Sequence, residues 1–353
     1  MKPTCSIVIR AYNEEKHIAR LLTGIFQQSV RDVQVILVDS GSTDATVQVA
    51  GTFPVEVVHI KPEEFSFGYS LNQGIARTTA DKVVFASAHV YPVYPDWLEK
   101  LIQPLDKPQV ALSYGKQRGM ETTKFSEHMI FQQWFPDHSV KRQDHPFCNN
   151  ANAAIRRELW EQHPYDENIP ALEDLAWANW AQKQGYQIAY ASEAEVIHVH
   201  NETWDGVFNR YRREGMAFKR IYPQERFSLG DMIRLFCVNS INDMRQIDNP
   251  TFRSLAAANP IPLSDAGSGS ISSAGMKAPS RWRRIYEIIR FRWAQFRGTY
   301  LGYRQSSNQL TWKLKQTFYY PRGTIVAINN NPRDVEPILY PESSGSKSSG
   351  RHV

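Results

Sequence analysis

Residues 7–14 read IVIRAYNE, an apolar run that passes directly into polar residues. Residues 35–44 read VILVDSGSTD and repeat the scheme, and between the two runs apolar residues recur at helical spacing: Ile18, Leu21, Leu22 and Ile25. Short runs rich in Val and Ile predict buried strands, and the spacing between them predicts a helix. Strands joined by helices form parallel β-α-β units. This stretch therefore predicts an α/β fold with a mostly parallel central sheet flanked by helices.

The following residues continue the alternation. Further strands are predicted at 55–60 and 82–86, with a helix at 69–77 between them. Parallel sheets bind ligands beyond the carboxyl ends of their strands. The segments that follow predicted strands are therefore expected to line a ligand site, and they are 11–14, 39–44 and 87–91.

Composition divides the chain into an α/β region and an appendage. Residues 1–225 are predicted to form one domain with halves at 1–115 and 116–225. The second half contains a strand at 151–155, a helix at 172–184, short strands at 187–190 and 195–198, and a basic helix at 204–221. Residues 226–342 predict a mostly helical region, in which the Pro-, Gly- and Ser-rich residues 259–280 indicate a flexible linker. The Ser- and Gly-rich residues 343–353 predict a disordered tail.

Composition also excludes several classes of protein. Three cysteines without a CxxC pair argue against a disulfide framework and a structural zinc site, and favour a reducing cytoplasm. No apolar run approaches the ~18 residues of a membrane span, so we expect a soluble protein or one attached to a membrane surface. The net charge of +5 permits an anionic partner, but it does not support a nucleic-acid-binding role by itself.

The pair of motifs carries a family resemblance. Alone, an Asp followed by a Ser/Gly turn is more typical of a well-capped helix start. Together, residues 7–14 and 38–44 resemble the family 2 glycosyltransferases, whose GT-A fold opens with strands ending in Tyr-Asn-Glu and Asp-Asp-Gly-Ser-Thr-Asp. Ser40 replaces the second Asp of that pattern. The resemblance covers residues 4–220 and implies a nucleotide-sugar-binding domain.

The resemblance implies a donor site for a UDP- or dTDP-sugar. Asp39 would accept hydrogen bonds from the base or ribose, because a carboxylate offers only acceptors. Ala11, Tyr12 and Glu14 would line the base pocket. Asn72, within FGYSLNQG at 67–74, would lie beside the nucleotide, although a plain turn and helix explains this segment equally well.

The metal-binding motif departs from the family pattern. Where most GT-A enzymes have Asp-x-Asp, this chain has Ser87-Ala88-His89. His89 could hold Mn²⁺ or Mg²⁺ with His198 and His200, which alternation places on one strand face. The open alternative is a site without metal, in which Lys and Arg neutralise the diphosphate.

An acidic pair, Glu173-Asp174, matches the catalytic position of the family. Asp174 would act as general base, because an acceptor hydroxyl is a poor nucleophile until a carboxylate takes its proton. A single displacement with inversion follows from the resemblance. The alternative is a helix start at which acidic residues favour the positive dipole end.

The acceptor and diphosphate contacts are predicted from the same resemblance. Polar or stacking side chains assigned to a glycan or lipid-linked acceptor are Asn149, Asn150, Asn152 and Trp177. Arg210 and Arg213, in NRYRREG at 209–215, would contact the diphosphate, or they form a solvated helix face.

Residues 281–297 contain six Arg and one Glu. Apolar residues at helical spacing share one face of this segment: Trp282, Ile285, Tyr286, Ile289, Trp293 and Phe296. The pattern predicts a helix on an anionic membrane surface at the cytoplasmic side, or a helix packed on the catalytic domain.

Two other functions compete with transfer. An inactive nucleotide-sugar-binding relative would explain the missing Asp-x-Asp, although the intact Glu173-Asp174 pair argues against it. A nucleotidyltransferase would require a Gly-rich phosphate loop after the first strand, and residues 11–16 lack one.

Overall fold

The structure is a computed structural model that describes residues 2–120, 122–249, 280–305, 335–338 and 340. The predicted tail at 343–353 and the predicted linker at 259–280, except Ser280, lie outside the described residues. The division of the chain at residue 225 stays a prediction.

One mixed sheet forms the centre of the fold. Its spatial order is β3-β2-β1-β4-β7-β6-β8-β5. The strands are β1 (Cys5–Ala11), β2 (Val33–Asp39), β3 (Glu56–His59), β4 (Lys82–Ser87), β5 (Val90–Pro92), β6 (Val110–Arg118), β7 (Asn152–Arg156) and β8 (Gln187–His198). Parallel pairs are β1–β2, β2–β3, β1–β4 and β6–β8, whereas β4–β7, β6–β7 and β5–β8 are antiparallel. The predicted α/β class is confirmed.

Helices cover both faces of the sheet. They are α1 (Ile18–Phe26), α2 (Thr46–Ala50), α3 (Phe67–Ile75), α4 (Trp97–Ile102), α5 (Phe125–Trp134), α6 (Arg157–Gln162), α7 (Glu173–Lys183), α8 (Trp204–Ile221), α9 (Leu229–Gln246) and α10 (Arg281–Arg304). Short 3₁₀ helices occur at Pro62–Glu64 and Gln103–Asp106. The two strands expected at 187–190 and 195–198 form the single strand β8, because a register shift opposite Gly115 and Gln117 absorbs the irregular residues between them.

Strand alternation in β1 divides the core into two layers. Ile7 and Ile9 pack with the apolar stripe of α1 and with α4 on one face. Val8 faces the other side, where it packs with α3, α6 and α7. Because both faces are covered, β1 reads as a continuous apolar run rather than an alternating one. The carboxyl ends of β1, β2 and β4 remain at one edge, where the predicted ligand segments meet.

Helix α10 is packed against α8 rather than detached. A Cβ on Gly302 would lie 2.2 Å from the Arg212 carbonyl oxygen, and one on Gly298 would lie 2.5 Å from that of Phe208. The two backbones can approach this closely because both positions lack a side chain. Of the two alternatives for this segment, the structure shows the helix packed on the domain. Trp282 and Trp293 face solvent, and the membrane-surface alternative stays a prediction.

We expect Gly302→Val to lower the free energy of unfolding by roughly 1–3 kcal/mol, because the new side chain would push α10 away from α8. Gly230→Ala, in the first turn of α9, is the matched control, since its nearest neighbouring atom is 3.7 Å away. Thermal and urea unfolding would measure both variants. Equal stability of the Gly302 variant and the wild type would contradict the close packing of the two helices.

None of the described helices is both long enough and apolar enough to cross a bilayer.

Candidate active site

Two loops at the carboxyl edge of the sheet are tied together by side-chain hydrogen bonds. Asn13 accepts a hydrogen bond from the Thr43 backbone N–H at 2.8 Å, and its own N–H donates to the Ser42 hydroxyl at 2.9 Å. The Glu15 N–H donates to Asp44 at 3.1 Å. The loop after β1 and the loop after β2 therefore hold each other in position, which explains why their two motifs occur together.

Asp39 ends β2 inside this edge. Its carboxylate is buried and accepts hydrogen bonds from the backbone N–H groups of Gly41 and Ser42 at 3.1–3.3 Å. His59, at the end of β3, contacts the same carboxylate at 3.2 Å. Tyr12, in contrast, is 55% exposed. The edge thus combines a fixed acceptor with an accessible aromatic ring.

Three imidazoles converge beside this edge. The nearest ligand atoms of His89, His198 and His200 all lie within 4.8 Å of one another. His89 follows β4, His198 ends β8, and the β5–β8 pairing brings the two segments together. The rings of His89 and His198 are stacked, with centroids 5.2 Å apart. The three histidines that the sequence selected therefore form one cluster.

An oxygen atom orients each of these rings through Nδ1. The partner of His89 is the Glu14 carboxylate at 2.7 Å, that of His198 is Gln117 Oε1 at 2.7 Å, and that of His200 is the Glu127 carboxylate at 2.6 Å. Carboxylates accept but do not donate when ionised, so Nδ1 carries the proton and Nε2 presents a lone pair. This arrangement is typical of metal-binding histidines and the residues that support them.

The Nε2 atoms of His198 and His200 face each other at 2.9 Å. Two lone pairs at that distance repel unless a proton or a metal cation lies between them. Burial lowers the pKa of His198 well below its usual range, and the neighbouring His200 and His89 lower it further. Ser87 contacts Nε2 of His89 at 3.1 Å, so its hydroxyl would have to turn away from a bound ion.

Arg210 lies behind the histidines and does not face open solvent. It pairs with Glu127 at 2.6 Å and with Glu202 at 2.8 Å. Burial alone would raise the pKa of Glu127. The positive charges of Arg210 and His200 outweigh this effect and hold the pKa well below its usual range. Arg213 is exposed and lies over the Phe67 ring, 5.7 Å from its centroid. The structure therefore separates the two arginines that the sequence grouped as diphosphate contacts.

The acidic pair begins α7 and is buried. Asp174 accepts hydrogen bonds from the backbone N–H groups of Asn150 at 3.0 Å and Leu175 at 2.7 Å. Arg10 pairs with Glu173 at 3.2 Å. Burial, together with the neighbouring Glu173 carboxylate, raises the pKa of Asp174 to about 7. A carboxylate with such a pKa can accept a proton near neutral pH.

Backbone strain marks both halves of the site. Among the described residues, Asn13 (φ 56°) and Leu172 (φ 58°) are the non-glycine residues with positive φ. Asn13 belongs to the loop after β1, and Leu172 is the residue immediately before the acidic pair. Left-handed conformations are costly for a Leu, and such outliers cluster at functional sites.

An internal cavity of about 170 Å³ lies between the acidic pair and the C-terminal helices. Asp174, His200 and Arg210 line it from the catalytic side. Aromatic side chains supply a large part of the remaining wall: Phe131, Trp134, Phe135, Phe147, Tyr211, Phe218 and Phe296. Asn149 and Glu214 add polar groups, and burial raises the pKa of Glu214 to about 7.

Three predicted site residues lie in the core instead. Asn72 bonds Trp160, the Tyr165 backbone and Glu167. Asn152 is fully buried and bonds Trp97 and two carbonyl groups. Trp177 is 1% exposed and donates to the His163 carbonyl. The polar groups of these three side chains form hydrogen bonds within the core, and the side chains do not line the cavity.

Other residues of the site escaped the sequence reasoning: His59, Gln117, Glu127, Arg10 and Glu214. Arg10 and Glu214 lie within the motifs at 7–14 and 209–215, but the motifs assigned them no role. His59, Gln117 and Glu127 lie outside every motif, because they contribute through contacts with other elements. Glu14 has a different role from the predicted one, since its carboxylate holds His89. Ala11 is buried at the end of β1, where its carbonyl accepts from Ser40.

Comparison with solved structures identifies the type of fold. A mannosyltransferase from Pyrobaculum calidifontis, solved with GDP-Man and Mn²⁺, superposes with a TM-score of 0.51 and 20% identity over 73% of this chain and 74% of that chain. This similarity supports a GT-A type fold.

The activity follows from the sequence comparisons. Residues 6–163 match the model of Glycosyl transferase family 2, and together with the relatives below this match identifies the chain as a glycosyltransferase. The O-antigen chain rhamnosyltransferase RfbN of Salmonella typhimurium is 27% identical over 60% of this chain and 71% of its own length. The O-antigen chain rhamnosyltransferase WbaN of Salmonella anatum is 27% identical over 61% and 72%.

Proposed function

We propose that the protein transfers a sugar, with inversion, from a UDP- or dTDP-sugar to a glycan or lipid-linked glycan in cell-surface polysaccharide synthesis. One observation carries this proposal most strongly: Asp174 and His200 line the same cavity. A base for the acceptor and a group beside the donor therefore face a common space. The two Salmonella relatives, named for O-antigen synthesis, support the class of acceptor.

The donor nucleotide would bind across the ends of β1 and β2. Asp39 offers a fixed acceptor to an imide N–H or a ribose hydroxyl, because two backbone N–H groups and His59 hold its carboxylate in place. Tyr12 is exposed beside it and offers a stacking face to the base. The sugar diphosphate would then extend toward the histidine cluster.

A divalent cation fits the three histidines. Their Nε2 atoms converge, and their Nδ1 atoms are already occupied by oxygen partners. His89, His198 and His200 would hold the ion, which would neutralise the leaving diphosphate when bound. Three imidazoles favour a transition metal such as Mn²⁺ over Mg²⁺, which prefers oxygen ligands. The mannosyltransferase of the same fold was solved with Mn²⁺.

The acceptor would enter the aromatic cavity with its hydroxyl directed at Asp174. The raised pKa of this carboxylate suits proton abstraction near neutral pH. Asn150 and Leu175 fix its two oxygens through their backbone N–H groups. Phe147 and Trp134 stack with ring centroids 4.1 Å apart at the cavity wall and offer apolar faces to a sugar ring.

Transfer can be tested with a panel of UDP-, dTDP- and GDP-sugars and an extract of lipid-linked glycans. Release of nucleoside diphosphate that depends on both donor and acceptor would support the proposal. Product NMR would report the anomeric configuration, and retention would exclude the single displacement. Donor binding without turnover under all acceptors would favour the inactive-relative alternative.

We expect Asp39→Asn to weaken nucleotide binding by about 10–100-fold, because a hydrogen bond to a charged group is lost. Asp44→Asn makes the same chemical change in the same loop, but Asp44 bonds Thr46 and Glu15 instead of facing the pocket. Calorimetric titration with the preferred nucleoside diphosphate would compare the variants. Equal losses in both would mean that loop integrity, rather than the Asp39 carboxylate, controls affinity.

A further inference from the structure

The packed helix α10 has a second apolar face that points outward. Trp282, Tyr286, Ile289 and Trp293 follow one another at spacings of four, three and four residues. Their exposed fractions are 80%, 61%, 41% and 45%. The opposite side of the helix, including Ile288 and Phe291, is buried against the domain. Phe296, which the sequence pattern placed with the exposed residues, is buried at the edge of this side. Packing of α10 onto the enzyme therefore does not use this face.

Helix α9 packs beside α10 and also has exposed apolar residues. Its exposed apolar residues are Leu229, Ile233, Val238 and Ile241. Phe236 connects the two helices, because its ring meets that of Trp293 edge to face with centroids 5.5 Å apart. An apolar surface of this kind on a globular protein indicates an interaction site when it is contiguous.

The charge of this surface is mainly positive, although the exposed Asp248, two residues after α9, pairs with Arg281 at 3.0 Å. Within the described residues of the two helices, seven arginines are exposed and no acidic residue is: Arg234, Arg245, Arg281, Arg283, Arg290, Arg297 and Arg304. The acidic side chains of these helices form contacts within the protein. Asp231 caps α9, Asp243 pairs with the buried Arg292, and Glu287 accepts from the Phe125 N–H.

We propose that this surface, the docking face formed by the exposed residues of α9 and α10, binds an anionic lipid bilayer. Trp and Tyr rings are favoured at the membrane interface, and Arg side chains reach from an apolar stem to lipid phosphates. A second copy of the chain would bring a strongly positive face against the same positive face, and the nearby exposed Asp248 is already paired with Arg281. Charge complementarity therefore selects the bilayer.

The position of the docking face gives it a role in the reaction. Asn239 of α9 and Gln295 and Phe296 of α10 line the catalytic cavity, so the two helices separate that cavity from the docking face. A glycan anchored to a lipid would thus be presented beside the cavity when the enzyme lies on the bilayer. This role rests on the proposed function, whereas the binding of lipid does not.

Vesicle flotation tests the docking face with the full-length protein. Vesicles of phosphatidylcholine alone would be compared with vesicles in which about a third of the lipid is phosphatidylglycerol. We expect binding to the anionic vesicles that weakens with salt and is small on neutral ones. Arg283→Glu/Arg290→Glu should weaken it by about 25-fold or more, at roughly fivefold for each lost arginine.

Two further variants complete the test. Lys107→Glu/Lys183→Glu imposes the same charge change near the amino ends of β6 and β8, and should retain binding. Trp282→Ser/Tyr286→Ser removes exposed rings and should weaken binding by about tenfold or more while leaving nucleotide affinity unchanged. Unaltered nucleotide binding separates this outcome from failure of the active-site proposal.

Absence of binding to anionic vesicles by the wild type would overturn the proposal. Equal binding by all four proteins would overturn it as well, because attraction would then come from net charge alone. A dimer in light scattering that Trp282→Ser/Tyr286→Ser dissociates, without vesicle binding by the wild type, would assign the face to a second copy.

Discussion

Asp174→Asn is expected to lower the turnover rate by about 10²–10⁴-fold, the range for loss of a general base. The amide cannot take the proton of the acceptor hydroxyl. Among the described residues, the other carboxylates that line the cavity are those of Glu127 and Glu214. Donor affinity should change little, because Asp174 lies on α7, whereas Asp39 and the histidines lie on or next to strands of the sheet. Steady-state kinetics and nucleotide calorimetry would measure the two effects separately.

The pH profile provides an independent readout of the same residue. Because the pKa of Asp174 is raised to about 7, kcat/KM of the wild type should fall as pH drops below that value. The matched change Glu173→Gln removes the neighbouring charge that raises this pKa, so the acid limb should move to lower pH with a much smaller loss of turnover. Undiminished turnover of Asp174→Asn would remove this residue from the mechanism.

The raised pKa also predicts the direction of a stability effect. A carboxyl group whose pKa is higher in the folded state stabilises the fold only while protonated, so its contribution is lost as pH rises from about 4 to about 7. Relative to the wild type, the Asp174→Asn variant should therefore be more stable at pH 8 than at pH 4, as measured by thermal unfolding. This comparison also verifies that loss of activity does not arise from unfolding.

Removing a histidine of the cluster should have the second largest effect. We expect His198→Ala to abolish measurable Mn²⁺ binding in the presence of nucleoside diphosphate, because the remaining imidazoles no longer enclose the ion. Glu14→Gln, which alters only the support of His89, should weaken Mn²⁺ by about 10–100-fold. Electron paramagnetic resonance of free Mn²⁺ would measure both losses directly, without reliance on turnover.

The control for this experiment is His138→Ala, an exposed histidine outside the cluster. It should bind Mn²⁺ as the wild type does. Nucleotide affinity that is insensitive to EDTA, to added Mn²⁺ and to His198→Ala would contradict the metal assignment. The alternative of a metal-free site, with arginines against the diphosphate, would then be favoured, and Arg10 and Arg213 near Phe67 would be the groups to test.

The parts of the site that sequence could predict are those in which neighbouring residues act together. Asp39 ends an apolar run, and Glu173-Asp174 begins a helix, so pattern and chemistry coincide within a few residues. The three histidines could also be selected, because alternation continued past the end of β8 puts His198 and His200 on one face. Each of these inferences combines the local geometry of a strand or a helix with the resemblance to the family 2 glycosyltransferases.

The remaining parts depend on contacts between distant elements. Glu127 lies on α5. The buried residues of this helix include a Glu and a Ser, so its sequence shows no continuous apolar stripe. In the sequence, Asn152 has the chemistry of a sugar contact, but its side chain forms hydrogen bonds with Trp97 and two carbonyl groups. Periodicity also could not show which face of α10 is buried, because Arg292 enters the core by pairing with Asp243. Tertiary pairing of polar groups overrides the sequence pattern in all three cases.

Calorimetric titration of the purified protein with UDP, dTDP and GDP, each with and without Mn²⁺, tests the central claim most directly. The proposed donor site predicts that UDP or dTDP binds, that Mn²⁺ tightens the complex, and that Asp39→Asn weakens it. A folded protein that binds none of the three nucleotides under either condition would contradict the assignment of this edge of the sheet as a nucleotide-sugar site.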